Sequence, residues 1–155
     1  MKTYSTASSD LERCIAGMLA KYHDDLQNVT VDALFVFDDE SSDQVLQHQG
    51  YPAQAVCRIT PVSDRALGIA DAVIVVDRAT WQLLSARQRE ALIDHELTHL
   101  ERVLDDETGK PKCDAVGRPK LAMRRHDQQI GIFVEVMQRH REASAEARAA
   151  RVILD

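Results

Sequence analysis

Apolar and polar positions follow two rhythms along this chain. Leu11, Ile15, Met18, Tyr22 and Leu26 recur at helical spacing and predict a first amphipathic helix from about residue 10. Ser9 and Glu12 precede most of that stripe at capping-box spacing, in which each side chain satisfies an otherwise unpaired backbone N–H. After Asn28 the pattern changes. Residues 31–37 are rich in β-branched and aromatic side chains and predict a strand; 53–60, closed by Pro61, predict a second. Residues 72–76 are wholly apolar, as a short buried strand would be. Residues 77–84 read as a short helical turn. Ser85 and Gln88 then form a second capping box, and a helix is expected from 86 to about 103. Thr108-Gly109-Lys110-Pro111 and Val116-Gly117-Arg118-Pro119 are two close turn signals and predict a hairpin or folded loop. A last helix is expected from Asp127 through Arg141, with Gly131 in its interior, followed by a helix-prone tail with little apolar surface.

This order of elements predicts an α+β fold. Its parts are an N-terminal helix, a small three- or four-stranded mixed sheet, a central helix, a β-hairpin and a C-terminal helix. Residues 1–155 are expected to form a single domain, with 1–9 flexible and 142–155 a helical tail. The tail would be a frayed extension or a contact for a second subunit; the oligomeric state is left open.

Composition changes the picture by exclusion. The chain has 155 residues, enough for a real core, with 45% hydrophobic and 28% charged residues. A net charge of −6 argues against binding nucleic acid through a general basic field, although Arg118, Lys120, Arg124 and Arg125 form a modest local patch. The acidic stretch 38–43 lacks the ligand spacing and turn glycine of a calcium loop and reads as solvated. Cysteines at 14, 57 and 113 give neither a disulfide framework nor a Cys-x-x-Cys knuckle and read as reduced thiols. The polar N-terminus and the shortness of every apolar run predict a cytoplasmic protein with no membrane partner.

The chemistry concentrates at residues 95–99, His-Glu-Leu-Thr-His. On a helix His95 and His99 project from one side, a turn apart, so both imidazoles can reach one zinc ion. Glu96, offset by about 100°, is placed to hold a water as general base without being a ligand. The two histidines continue a stripe with Gln88 and Leu92, which predicts that they are buried. A third ligand is needed, and Cys113, Asp114, His126, Asp127, Glu135 and His140 are the candidates downstream. Were the last helix to begin at His126, that residue would fall within about 40° of Ile130 on the apolar face defined by Ile130, Phe133, Val134 and Met137; Glu135 would point about 140° away. His126 is therefore the expected third ligand, with Asp127, Glu135 and Cys113 as alternatives. Tyr51, Arg124 and Arg125 are candidates to stabilise a tetrahedral intermediate, and Asp127 to orient a ligand histidine.

The segment from Leu83 to Leu100 resembles the active-site helix of zincin metallopeptidases. With Gly117-Arg118-Pro119, Arg125-His126-Asp127 and Arg139-His140, residues 54–140 resemble the putative phage metallopeptidase family. That resemblance implies a minimal zincin-like fold and a zinc cofactor held by His95, His99 and His126. It also implies Glu96 as the base and a peptide or protein substrate. Asp94 and Glu101 depart from the uncharged flanks usual in zincins, and Asp94 is expected on the exposed side of the helix. Two other readings compete. One is a non-catalytic zincin-like module of a mobile element that binds zinc or a protein. The other is a deformylase-like amide hydrolase with Cys57 as third ligand, although the residues around Cys57 do not match a deformylase cysteine motif.

Overall fold

The computed structural model describes residues 1–129 and 131–154. The chain divides into two compact units, Met1–Arg124 and Arg125–Asp155. In the first unit a four-stranded sheet is built from β1 (Lys2–Thr6), β2 (Val31–Asp38), β5 (Ala55–Ile59) and β6 (Ala72–Asp77), in the order β1-β2-β6-β5. The sheet is mixed: β1 and β5 run antiparallel to their neighbours, while β2 and β6 are parallel. Residues 1–9 were expected to be flexible, yet Lys2–Thr6 pairs along β2 from Thr6↔Leu34 to Lys2↔Asp38. The Met1 amine also reaches Asp38 and Asp39 at 2.7 and 2.6 Å. A small hairpin, β3 (Gln47–His48) with β4 (Tyr51–Pro52), leads into β5.

One sheet face carries Ala33, Phe35, Cys57, Ile74 and Val76 into the main core, which is closed by α1 (Ser9–Tyr22), Trp81 of α3 (Arg78–Leu83) and α4 (Ala86–Thr98). The short helix α2 (Val62–Ala66) follows β5. Leu11, Ile15 and Met18 of α1 are buried as the stripe predicted. The stripe ends there, because Tyr22 is exposed and Leu26 lies in a separate 3-10 turn at Asp24–Leu26. The expected Ser9 capping box does not form; Ser8 occupies the cap position and makes no side-chain cap bond. Asp77 at the end of β6 is fully buried, capping α3 through Thr80 and taking the N–H groups of Val45 and Leu46.

The central helix is shorter than its sequence suggested. It stops at Thr98, and the chain turns directly into β7 (Leu100–Arg102), which pairs antiparallel with β8 (Leu121–Met123). Between them the turn signals form a folded loop. Gly109 and Gly117 take positive φ, and isolated bridges join Leu104 to Pro111 and Cys113 to Pro119. Arg118 does not belong to a free basic patch, because its guanidinium grips the buried Asp71.

In the second unit α5 (Val134–His140) starts seven residues later than expected, so Asp127 and Gly131 precede the helix. Phe133 and Val134 are exposed and no residue of α5 is buried, which removes the apolar face assigned to it. Ile130, used to define that face, lies outside the described residues. A 3-10 turn, Arg141–Ala143, and α6 (Ala145–Leu154) complete this unit. Six α-helices are present among the described residues, and none is long and apolar enough to cross a membrane.

Candidate metal centre

Helix α4 carries His95 and Glu96, with His99 as its C-cap residue, and its start is fixed locally. Ser85 accepts the Gln88 N–H while the Gln88 side chain accepts the Ser85 N–H, the full capping box. Its buried face differs from the expected one. Ile93, Glu96, Leu97 and then Leu100 are buried, whereas Gln88 and His95 are exposed and His99 is half-buried. The histidines flank the core, and the glutamate enters it.

A buried carboxylate needs a partner, and the sheet edge supplies one. Strand β5 is the last in the sheet, so alternate backbone groups point away from β6. The Cys57 N–H is one of these and donates to Glu96 Oε2 at 2.9 Å. The other oxygen, Oε1, faces His95 Nε2 at 4.0 Å. Burial pushes the Glu96 carboxyl up to about 7, against the pull of the Cys57 N–H. Cys57 itself belongs to the core. Burial, and secondarily the Glu96 charge, pushes its thiol up to about 12, so it meets Glu96 through its backbone alone.

His99 is clasped by main chain. It accepts the Arg124 N–H at its carbonyl and its Nδ1 lies 2.7 Å from the Arg124 carbonyl, both at 2.7 Å. A carbonyl oxygen has no proton to give, so Nδ1 is the donor and Nε2 of the neutral ring carries the lone pair. This is the tautomer-fixing bond that histidine ligands of metals generally make. The His95 and His99 rings stand edge to face, centroids 5.1 Å apart. Among the described residues, the ring nitrogens of His95, His99 and His126 lie within 4.8 Å of one another and form a group that could hold a metal ion.

His126 joins that group by a different route from the helical one expected. It stands two residues beyond Arg124 in a segment that is neither helix nor strand. Among the described residues, Cys113, Asp114 and Glu135 are not in this group; Glu135 pairs with Arg139 at 2.9 Å and Asp114 with Arg65 at 2.8 Å. Tyr51 is exposed in the β3–β4 hairpin. Asp94, expected on the exposed side of the helix, is half-buried and accepts a hydrogen bond from Nε2 of the buried His23 at 2.7 Å. Two supports escaped the sequence altogether, the Cys57 N–H and the Arg124 carbonyl. Both are main-chain groups, which every residue carries, so no side-chain signal could have marked them.

The family model of the putative phage metallopeptidases matches residues 3–152. The chain belongs to this family. No curated protein and no solved structure matches the chain. For this family member the match spans both units, so Arg125-His126-Asp127 and the C-terminal helices fall within the family pattern along with the central helix.

Proposed function

We propose that this family member is a zinc-dependent peptidase of minimal zincin-like fold, with His95, His99 and His126 as metal ligands and Glu96 as general base. The observation that carries the reading is the split use of the Glu96 carboxylate. Its Oε2 is anchored on the Cys57 N–H, and its Oε1 is turned toward His95.

Three imidazoles suit zinc and leave a fourth position open, and the clasped Nδ1 of His99 leaves Nε2 to coordinate. A zinc ion held there would acidify a water and polarise a carbonyl. Glu96 takes the proton of the attacking water at Oε1 and returns it to the departing amine. A nearby cation lowers a carboxyl that burial has raised, favouring the ionised state a base needs. The Cys57 N–H keeps Oε2 occupied, so the carboxylate does not rotate away during the transfer. A peptide or protein substrate follows from the family, whose name describes a metallopeptidase.

The competing non-catalytic module gives no reason to bury an ionisable carboxylate beside a histidine cluster, which is costly without a use. The deformylase-like reading requires the Cys57 thiol, which lies in the core. Elemental analysis combined with cleavage of a peptide library separates these readings. Wild-type protein should hold about one zinc per chain and cleave. Glu96→Gln should keep the zinc and lose on the order of 10²- to 10⁴-fold in rate. Full activity in Glu96→Gln would overturn the mechanism, and zinc binding without any cleavage by wild type would favour the non-catalytic module.

A further inference from the structure

A second polar cluster lies in the same unit as His99, built from residues that the mechanism does not use. Asp71, 1% exposed, sits just before β6. Its Oδ2 accepts the Thr30 N–H at 2.8 Å and the Thr30 hydroxyl at 3.0 Å. Arg118 approaches the same carboxylate with two nitrogens, Nε on Oδ1 at 3.1 Å and Nη2 on Oδ2 at 2.6 Å, and Nη2 also donates to the Asn28 carbonyl at 2.8 Å. Arg65, itself buried, donates to the carbonyls of Thr60, Asp71 and Pro119 and to Asp114 Oδ2. Asp114 closes the cluster by taking the N–H groups of Val116 and Arg118.

This clamp fastens residues 114–119 to the main sheet, and β8 starts immediately afterwards. From there the chain is held rung by rung. Lys120 O accepts the Val103 N–H, Leu121–Met123 pair with β7, and the Arg124 carbonyl ends on the His99 ring. A short paired ribbon is stiff, so the place where it is fastened sets the position of its far end. A bidentate arginine–carboxylate pair fixes direction as well as distance. We propose that Arg118, through its pair with Asp71, is a positioning residue for the metal centre: it sets where the Arg124 carbonyl meets His99 Nδ1, and so the aim of His99 Nε2. This rests on the metal reading of the histidine group.

The test titrates Co²⁺ alone into the metal-free full-length chain and reads its visible absorption, which reports ligand geometry. Arg118→Ala should bind Co²⁺ about 10- to 100-fold more weakly, as loss of a group that orients a ligand does, with altered bands. Arg118→Lys, which keeps the charge but lacks the two-pronged grip, should recover part of the affinity and should fold even if Arg118→Ala does not. The control is Asp10→Asn, which weakens the tie from Asp10 to Trp81 and Arg89 at the other end of α4. It should lose thermal stability without changing the cobalt spectrum. The proposal is overturned if folded Arg118→Ala or Arg118→Lys matches wild type in affinity and bands, or if Asp10→Asn perturbs the spectrum equally. A wild-type chain that takes up no cobalt would instead overturn the metal reading, and this inference with it.

Discussion

At the scale of single residues, two buried acids pull stability in opposite directions with pH. Burial raises the Glu96 carboxyl from 4.5 to about 7, so between those values the folded metal-free chain holds more protons than the unfolded one. Its contribution to stability therefore falls as pH rises through that window. Burial also pushes Asp71 upward, but Arg118 and Thr30 outweigh it and hold the carboxyl below its usual range. Asp71 thus contributes stability above the ordinary carboxyl pKa of about 3.9, and this is lost as pH falls through the lower folded value. Urea unfolding of the metal-free chain across pH 3–8 should show both slopes. Glu96→Gln should flatten the upper one. Asp71→Asn should flatten the lower one and cost about 1.5–3 kcal/mol at neutral pH, because the buried carboxylate loses its charge-assisted hydrogen bonds while water screens the partly exposed Arg118. The sequence marked Glu96 by its place between two histidines. It could not mark Asp71, whose importance comes from Thr30 and Arg118, 41 and 47 residues away.

At the scale of elements, legibility followed locality. The start of α4 was readable because Ser85 and Gln88 cap it within a single turn. Ser85→Ala should cost about 1 kcal/mol and lower the melting temperature by about 2–4 °C in a thermal scan. The end of α4 was not readable, because Leu100 leaves the helix to pair with Met123, and nothing near Leu100 announces that partner. The buried face was misassigned for a related reason. Ile93, Leu97 and Leu100 form a good apolar stripe, but the glutamate among them breaks the pattern, as functional positions do. The last helix failed differently. Residues 127–133 have helical propensity, but Gly131 lowers it and no described residue from Asp127 to Met137 is buried to stabilise a longer helix.

At the scale of the whole molecule, three of the four strands of the main sheet were legible but their order was not. Val31–Asp38 and Ala72–Asp77 are parallel neighbours joined through the β3–β4 hairpin, β5 and α2, and only the folded chain shows which strands meet. Strand β1 was invisible because an edge strand needs no continuous apolar face, and Tyr4 on it is exposed. A ligand that binds only the folded state should stabilise the whole chain by mass action. Zinc at about 100 times its dissociation constant should add roughly 2.7 kcal/mol, visible as a melting temperature several degrees higher. His126→Ala should remove most of that increment at the same zinc concentration. Coincident melts of the two proteins in zinc would mean that His126 is not a ligand.

The hydrogen bond from Cys57 to Glu96 makes a count of residues part of the chemistry. Along β5 every second N–H faces outward, so inserting or deleting one residue between the β3–β4 hairpin and Cys57 reverses which groups face the helix. Arg58, exposed on the same strand, can change identity with little consequence at the helix. Cys57 and Ala55 can change only within the limits of the core they pack in, but their N–H groups keep their direction as long as the strand keeps its parity. Variation in this protein should therefore be tolerant of spelling at Arg58 and intolerant of length just before β5.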